Sequence, residues 1–140
     1  MEKLRGCGLL IKQIHDELRK NANNALRSQD ITLVQLAALE ALNQATEGQC
    51  SLKELEQVLY VAQSTAAGII ARLEQKGFVE GFGDVEDRRI KRVRITTAGL
   101  TCLQTALHCR FDAEEQLLSG LTETERDIFY SLLKKVRDSL

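Results

Sequence analysis

The sequence predicts a mainly α fold with one small β-hairpin, and three observations carry that expectation. Proline is absent from all 140 residues, and apolar residues recur at helical spacing along most of the chain, as at Leu10, Ile14, Leu18, Ala22 and Ala25. Such spacing lays apolar side chains along one face of a helix. The rhythm breaks only in GFVEGFGDVEDRRIKRVRITT, where Phe78-Val79 and then Ile90, Val93 and Ile95 sit among polar neighbours on either side of a polar loop from Gly83 to Asp87. This stretch reads as two short strands joined into a hairpin.

Taken in order, the apolar stripe predicts a first helix over about 5 to 28. Capping boxes open three others, at Thr32-Leu-Val-Gln35, Ser51-Leu-Lys-Glu54 and Thr122-Glu-Thr-Glu125. In each, a hydroxyl and a Glu or Gln three residues later satisfy each other's orphan backbone amides. Gly48, Gly77 and Gly120 stand where helices should stop, because glycine takes the left-handed conformation without steric cost. The helices are therefore expected at 32 to 46, 51 to 59, 62 to 76, 97 to 118 and 122 to 139, with the hairpin between the fourth and the fifth.

Composition narrows the function. With 28% charged and 44% hydrophobic residues and no low-complexity tract, the chain is expected to fold throughout as a single domain over residues 1–140. No apolar run approaches the ~20 residues a membrane span needs, and the opening MEKLRGCGLLIKQIHDELRK has charges on both sides of too short an apolar patch for a signal peptide. A cytoplasmic protein without a membrane partner is expected. Four cysteines without a C-x-x-C pair, and only His15 and His108 beside them, give no metal-ligand spacing, so neither a metal nor another cofactor is expected. No nucleophile, base and orienting group assemble at a recognisable spacing, which argues against an enzyme. A net charge of -1 leaves room for a nucleic-acid site only as a local patch, and the densest one is RRIKRVR, with Arg88, Arg89, Lys91, Arg92 and Arg94.

A short helix, a tight link, a second helix and a basic hairpin follow the order of a winged helix-turn-helix, here over residues 32–96. In the second helix of that unit, Ala66, Ile69, Ile70 and Leu73 share the face that must meet the core. Ser64, Thr65, Gly68, Ala71, Arg72 and Gln75 then face outward, and Ser, Thr, Gln and Arg can hydrogen-bond to base edges or phosphates in a major groove. The same side chains would also suit an ordinary solvated helix face.

The run from Asp87 through Arg89, Ile95 and Thr96 to Gly99 resembles the D-x-R-x5-[LI]-T-x-x-G signature of the MarR family of transcription regulators. Upstream, Ser64-Thr65 followed by Leu73-Glu74-x-x-Gly77-Phe78-Val79 is similar to that family's recognition helix and its exit into the wing. The resemblance implies that Arg89 is a wing-tip arginine held by Asp87, that it enters a minor groove, and that Arg88, Lys91 and Arg92 touch phosphates. A narrow minor groove concentrates negative potential and independently favours an arginine there. Two departures stand out: Gly68 replaces the long polar side chain common at its position, and Ala62 replaces the usual Ser or Thr cap. Base readout is then expected from Gln63, Ser64, Thr65 and Arg72, with Gly68 permitting close approach.

Residues 1–31 and 97–140 are expected to supply dimerisation helices, as the family resemblance also implies. On the fifth helix Leu100, Leu103, Leu107 and Phe111 form one seam and Cys102, Ala106, Cys109 and Ala113 another, while the last helix carries Phe129, Leu132, Leu133, Val136 and Leu140. With Leu10 and Ile14 of the first helix, these seams exceed what a monomer of this size can cover. A two-fold dimer would set two recognition helices and two wings on a pseudo-palindromic site. The function expected is that of a homodimeric regulator of double-stranded DNA, most simply a repressor answering to a small-molecule effector. Two alternatives compete: a winged-helix protein-interaction adaptor that has lost DNA binding, and a regulator that senses oxidants through Cys7, beside Lys3 and Arg5.

Overall fold

The structure, a computed structural model, describes residues 6–140; Lys3 and Arg5 therefore lie outside the described residues. The described residues form six α-helices: α1 (Cys7–Leu26), α2 (Leu33–Gln44), α3 (Leu52–Leu59), α4 (Gln63–Gln75), α5 (Thr97–Leu117) and α6 (Glu123–Asp138). Three short strands, β1 (Gln49–Ser51), β2 (Val79–Gly83) and β3 (Lys91–Ile95), make one antiparallel sheet in the order β1-β3-β2. Leu36, Leu39 and Leu42 of α2, Leu55 of α3, Ile70 and Leu73 of α4, Val93 of β3 and Leu103 of α5 are buried together in one apolar cluster. The helix-turn-helix and the sheet thereby share a core with α5.

The caps set these boundaries. Thr32 and Thr122 each accept from the backbone three residues on, and Gln35 and Glu125 accept in return from the cap residues. Ser51 departs from that pattern. Its hydroxyl accepts from Glu54 N–H, but the Glu54 carboxylate turns to the same hydroxyl at 3.1 Å, and the Ser51 backbone closes β1 opposite Arg92. Gly77, at φ 76°, ends α4 with paired bonds from Gly77 N–H to Glu74 C=O and from Phe78 N–H to Leu73 C=O, both 3.0 Å. Gly48 is also left-handed, whereas Gly120 is not; α5 ends at Leu118 by bonds to Glu114 and Gln116. Between α3 and α4 the left-handed turn residue is Tyr60, at φ 55°, which no glycine signal marks.

Three expectations need correction. The two-stranded hairpin is a three-stranded sheet, because Cys50 pairs with Val93 from more than forty residues away. Ile90 does not belong to the second strand: it precedes β3 in the wing loop and is exposed, and only Val93 and Ile95 of that set face the core. The seams of α5 are also redistributed. Cys102, Leu103, Ala106 and Ala113 are buried, Leu107 and Cys109 are partly buried, and Leu100 and Phe111 remain exposed.

The T-x-x-G end of the signature has a mechanical basis. Thr96 Oγ1 accepts from Gly99 N–H and donates to Gly77 C=O at 2.6 Å, so one side chain caps α5 and ties it to the end of α4. A Cβ on Gly99 would stand 2.1 Å from Phe78 O and 2.8 Å from Ile95 Cγ1, closer than atoms can approach. Absence of a side chain there lets α5 start directly against the entry of β2.

Candidate nucleic-acid interface

Helix α4 exposes the face the sequence predicts. Ala66, Ile69, Ile70 and Leu73 are buried, which turns Gln63, Ser64, Thr65, Gly68, Ala71, Arg72 and Gln75 to solvent. Ala62 offers no side-chain cap, and a Cβ on Gly68 would meet nothing within 4 Å. Both departures therefore leave α4 with an unobstructed outer surface.

The wing loop is built by its carboxylates. Asp84 Oδ2 accepts from the backbone N–H of Glu86 and Asp87, and the Asp84 amide donates to Ile90 C=O, closing the loop. Asp87 accepts from Arg89 three times: from its backbone N–H at 3.1 Å, from Nε at 3.0 Å and from Nη2 at 3.1 Å. The guanidinium is thus held by a two-pronged fork while its side chain stays 91% exposed. The side-chain bonds from Arg89, and then its backbone N–H, hold the Asp87 carboxyl below the usual carboxylate range. A lowered folded-state pKa keeps the fork charged above the ordinary carboxylate range and lets it fail only as pH falls through the depressed value.

The other cations of the patch are distributed unequally. Arg88 is exposed beside Arg89. Lys91 reaches Glu74 of α4, with Nζ 3.3 Å from Oε1. Arg92, expected among the phosphate contacts, has a side chain only 25% exposed, with Nε 3.4 Å from Gln49 Oε1 and 3.9 Å from Asp84 Oδ1. Arg94 pairs with Glu80 at 2.6 Å and lies over the Phe82 ring, 4.7 Å from its centroid. The hairpin from Val79 to Ile95 holds five basic and four acidic residues, so its attraction for polyanions concentrates at the tip.

A crevice of about 250 Å³ separates α4 from α1 and α2, lined by Arg19, Asn23, Thr32, Gln35, Gly68 and Arg72 among others. Gln35 is buried, and Lys76, at the end of α4, donates to its Oε1 at 3.2 Å and also to Asp30 C=O. Asn23 Oδ1 accepts from Leu33 N–H at 2.6 Å. The crevice wall is therefore wired to the C-terminal end of α4. A crevice between the dimerisation helices and the DNA-binding lobe is expected from the sequence reading, but its lining is not, because Thr32 and Gln35 read as a capping box and their neighbours come from three separate helices.

The expected pairing residues are apolar and uncovered. Leu10, Ile14, Leu132, Leu133 and Val136 are exposed, Phe129 is partly so, and no residue of α6 is buried. Arg126 fixes the α5–α6 corner by donating to Leu118 C=O and to both oxygens of Glu115. Ile14, Leu117, Leu121, Ile128 and Leu132 border an apolar groove of about 570 Å³ between α1 and α6.

The thiols divide by burial. Burial pushes the Cys50 and Cys102 thiols up, which keeps them protonated and unreactive, whereas Cys7 is exposed at the start of α1. Among the described residues no cluster of His, Cys, Asp or Glu could hold a metal ion, and no helix is long and apolar enough to cross a membrane.

Comparison with known proteins identifies this arrangement. The sequence profile of the MarR family matches residues 31–91. The HTH-type transcriptional repressor NicR of Pseudomonas putida is 32% identical over 109 residues, covering 78% of this chain and 68% of its own. The HTH-type transcriptional regulator YwaE of Bacillus subtilis is 30% identical over 93 residues, 66% of this chain, which spans only 54% of YwaE. A mutant of Escherichia coli MarR, crystallised with operator DNA, superposes with a TM-score of 0.86 at 28% identity, covering 96% of this chain and 95% of that one. The profile match, the identity to NicR over most of both chains and the superposition on MarR agree, and the chain belongs to the MarR family.

Proposed function

We propose that the chain is a homodimeric transcriptional repressor that grips a pseudo-palindromic operator and releases it when a small effector binds. Residues 32–96 act as the DNA-binding lobe, and residues 1–31 and 97–140 pair two copies in a cytoplasmic protein without catalytic activity. The observation that carries this reading is the Arg89 guanidinium, presented in the open at the wing tip and oriented by Asp87. An arginine with one fixed direction and no cover loses little freedom when it enters a minor groove. Gln63, Ser64, Thr65 and Arg72 on the bare face of α4 supply contacts in the major groove, Gly68 permits close approach, and Arg88 binds phosphate. Operator binding in the MarR crystal structure supports the same role here.

Effector binding belongs to the crevice that α4 forms with α1 and α2, where Arg72 is shared with the DNA-facing surface. Arg19 and Arg72 both line it, so a small anion bearing an apolar body is the chemistry it suits. Thr32 and Gln35 connect its wall through Lys76 to the recognition helix, and a ligand that prefers one helix position over another shifts the spacing of the paired helices.

The test is Arg89→Ala against an operator selected from genomic fragments that the protein retains. Folding survives, because the side chain touches only Asp87; affinity falls by about 1 to 3 kcal/mol, and the log-log salt slope becomes shallower by about one unit per wing. Asp87→Ala does similar harm by freeing the arginine instead of deleting it, while Lys12→Ala, on an α1 residue paired with Asp16, changes little. An Arg89→Ala protein that binds as tightly as the parent across a salt series would leave the adaptor reading in front.

Oxidant sensing is tested separately. Mild peroxide is expected to leave operator affinity unchanged, since Cys50 and Cys102 are buried and held protonated. A loss of affinity that Cys7→Ser abolishes would make the protein a thiol sensor.

A further inference from the structure

One carboxylate of α4, that of Glu74, reaches the cations of the wing. A groove of about 320 Å³ under the hairpin is bordered by Glu74 of α4, by the β2 segment Gly81 to Gly83, and by Arg88, Arg89 and Lys91. Strand alternation explains why Lys91 enters it. Lys91, Val93 and Ile95 share one face of β3, and because Val93 and Ile95 are buried, Lys91 leaves the strand on the side that meets α4. Its stem crosses Gly81, where a Cβ would stand 3.0 Å from Lys91 Cε and 3.3 Å from Glu74 Oε1. Any larger residue at that position would crowd the bond between Lys91 Nζ and Glu74.

We propose that Glu74 restrains non-specific binding: its carboxylate occupies Lys91 in the place a DNA phosphate would take and so holds down attraction to duplex of any sequence. The inference rests on the reading of the wing as a DNA-contacting surface. It assigns Lys91 to Glu74 in place of the phosphate role that the family resemblance implies. A pair this exposed contributes little to folding, so its consequence lies in binding. Phosphate attraction is blind to sequence, so lowering it weakens every site by about the same factor, and a site also held by base contacts stays occupied at a salt concentration where unrelated duplex is released. Arg88 and the forked Arg89 are left to meet the backbone and the minor groove.

The experiment measures binding of the intact protein to a duplex of unrelated sequence by fluorescence anisotropy over a salt series. Parent, Glu74→Gln, Lys91→Met and the double variant are compared, each checked by thermal unfolding. Glu74→Gln is expected to bind several-fold tighter at low salt, with a slope steeper by about one unit per wing. Lys91→Met alone should keep the parent's slope, with any loss of affinity coming from the uncompensated Glu74 carboxylate, and the double variant should return to the parent's slope and affinity. Should Glu74→Gln melt early, Glu74→Ala tests the same release at this exposed helix position. Two results overturn the proposal: Glu74→Gln that leaves the slope unchanged or weakens binding, or Lys91→Met that alone makes the slope shallower. A parent that binds no duplex at any salt would defeat the DNA-binding reading itself.

Discussion

Gly99→Ala should destabilise the protein by about 3 kcal/mol or more, at the upper end of what overpacking costs. The new methyl group would have to share space with the Phe78 carbonyl and the Ile95 side chain, at 2.1 and 2.8 Å. The obstacle is backbone, which cannot swing aside as a lysine tip can. Relief requires α5 to back away from β2, and that breaks the Thr96 bridge to Gly77 and loosens Ile95 in the core. Thermal unfolding should shift down by roughly 10 °C for a domain of this size. Gly68→Ala is the matched control: it also lies inside a helix, but in open space, and should be neutral or stabilising by up to about 1 kcal/mol. Equal melting temperatures for the two variants would show that the close approach at Gly99 does not govern stability.

Charging the stripe of α6 should have the other large effect. Leu132→Glu with Val136→Glu places carboxylates where both side chains are 56% exposed in the single chain, so folding of the monomer should be nearly indifferent to them. In a dimer that covers this stripe, each charge would be buried without a partner, at a cost of about 3 to 5 kcal/mol. One such charge weakens pairing by two to four decades in Kd. Sedimentation at micromolar concentration should show a dimer for the parent and a monomer for the variant. Circular dichroism should also lose part of α6, because a 16-residue helix with no buried residue has little tertiary support. A variant that remains dimeric would move the interface away from α6.

Much of this molecule is legible before any coordinates. Thr32, Thr122 and Gly77 announce their helix ends because capping is a local transaction between residues a few positions apart. The core face of α4 is equally plain, since Ala66, Ile69, Ile70 and Leu73 repeat at the helical period. Pairing of Asp87 with Arg89 is what the family resemblance implies, and the structure forms it across one intervening residue. Tyr60 is the exception among local features: it adopts a left-handed conformation that its side chain does not favour, held by bonds from Tyr60 and Val61 back into α3.

By itself, the sequence determined the number and order of the helices, the inward face of α4, the place of the hairpin and the basic character of its tip, all of which depend on neighbours within about one or two helical turns. Tertiary structure alone decided which charges in RRIKRVR are free. Strand alternation carries Lys91 down to Glu74, Arg92 meets Gln49 of a strand more than forty residues upstream, and Arg94 lies across Glu80 and Phe82 of its partner strand. The lining of the crevice beside α4 and the third strand were likewise decided only in three dimensions. Each joins residues whose separation along the chain leaves no periodic trace, and whether a charge meets a partner or water depends on what the fold brings beside it.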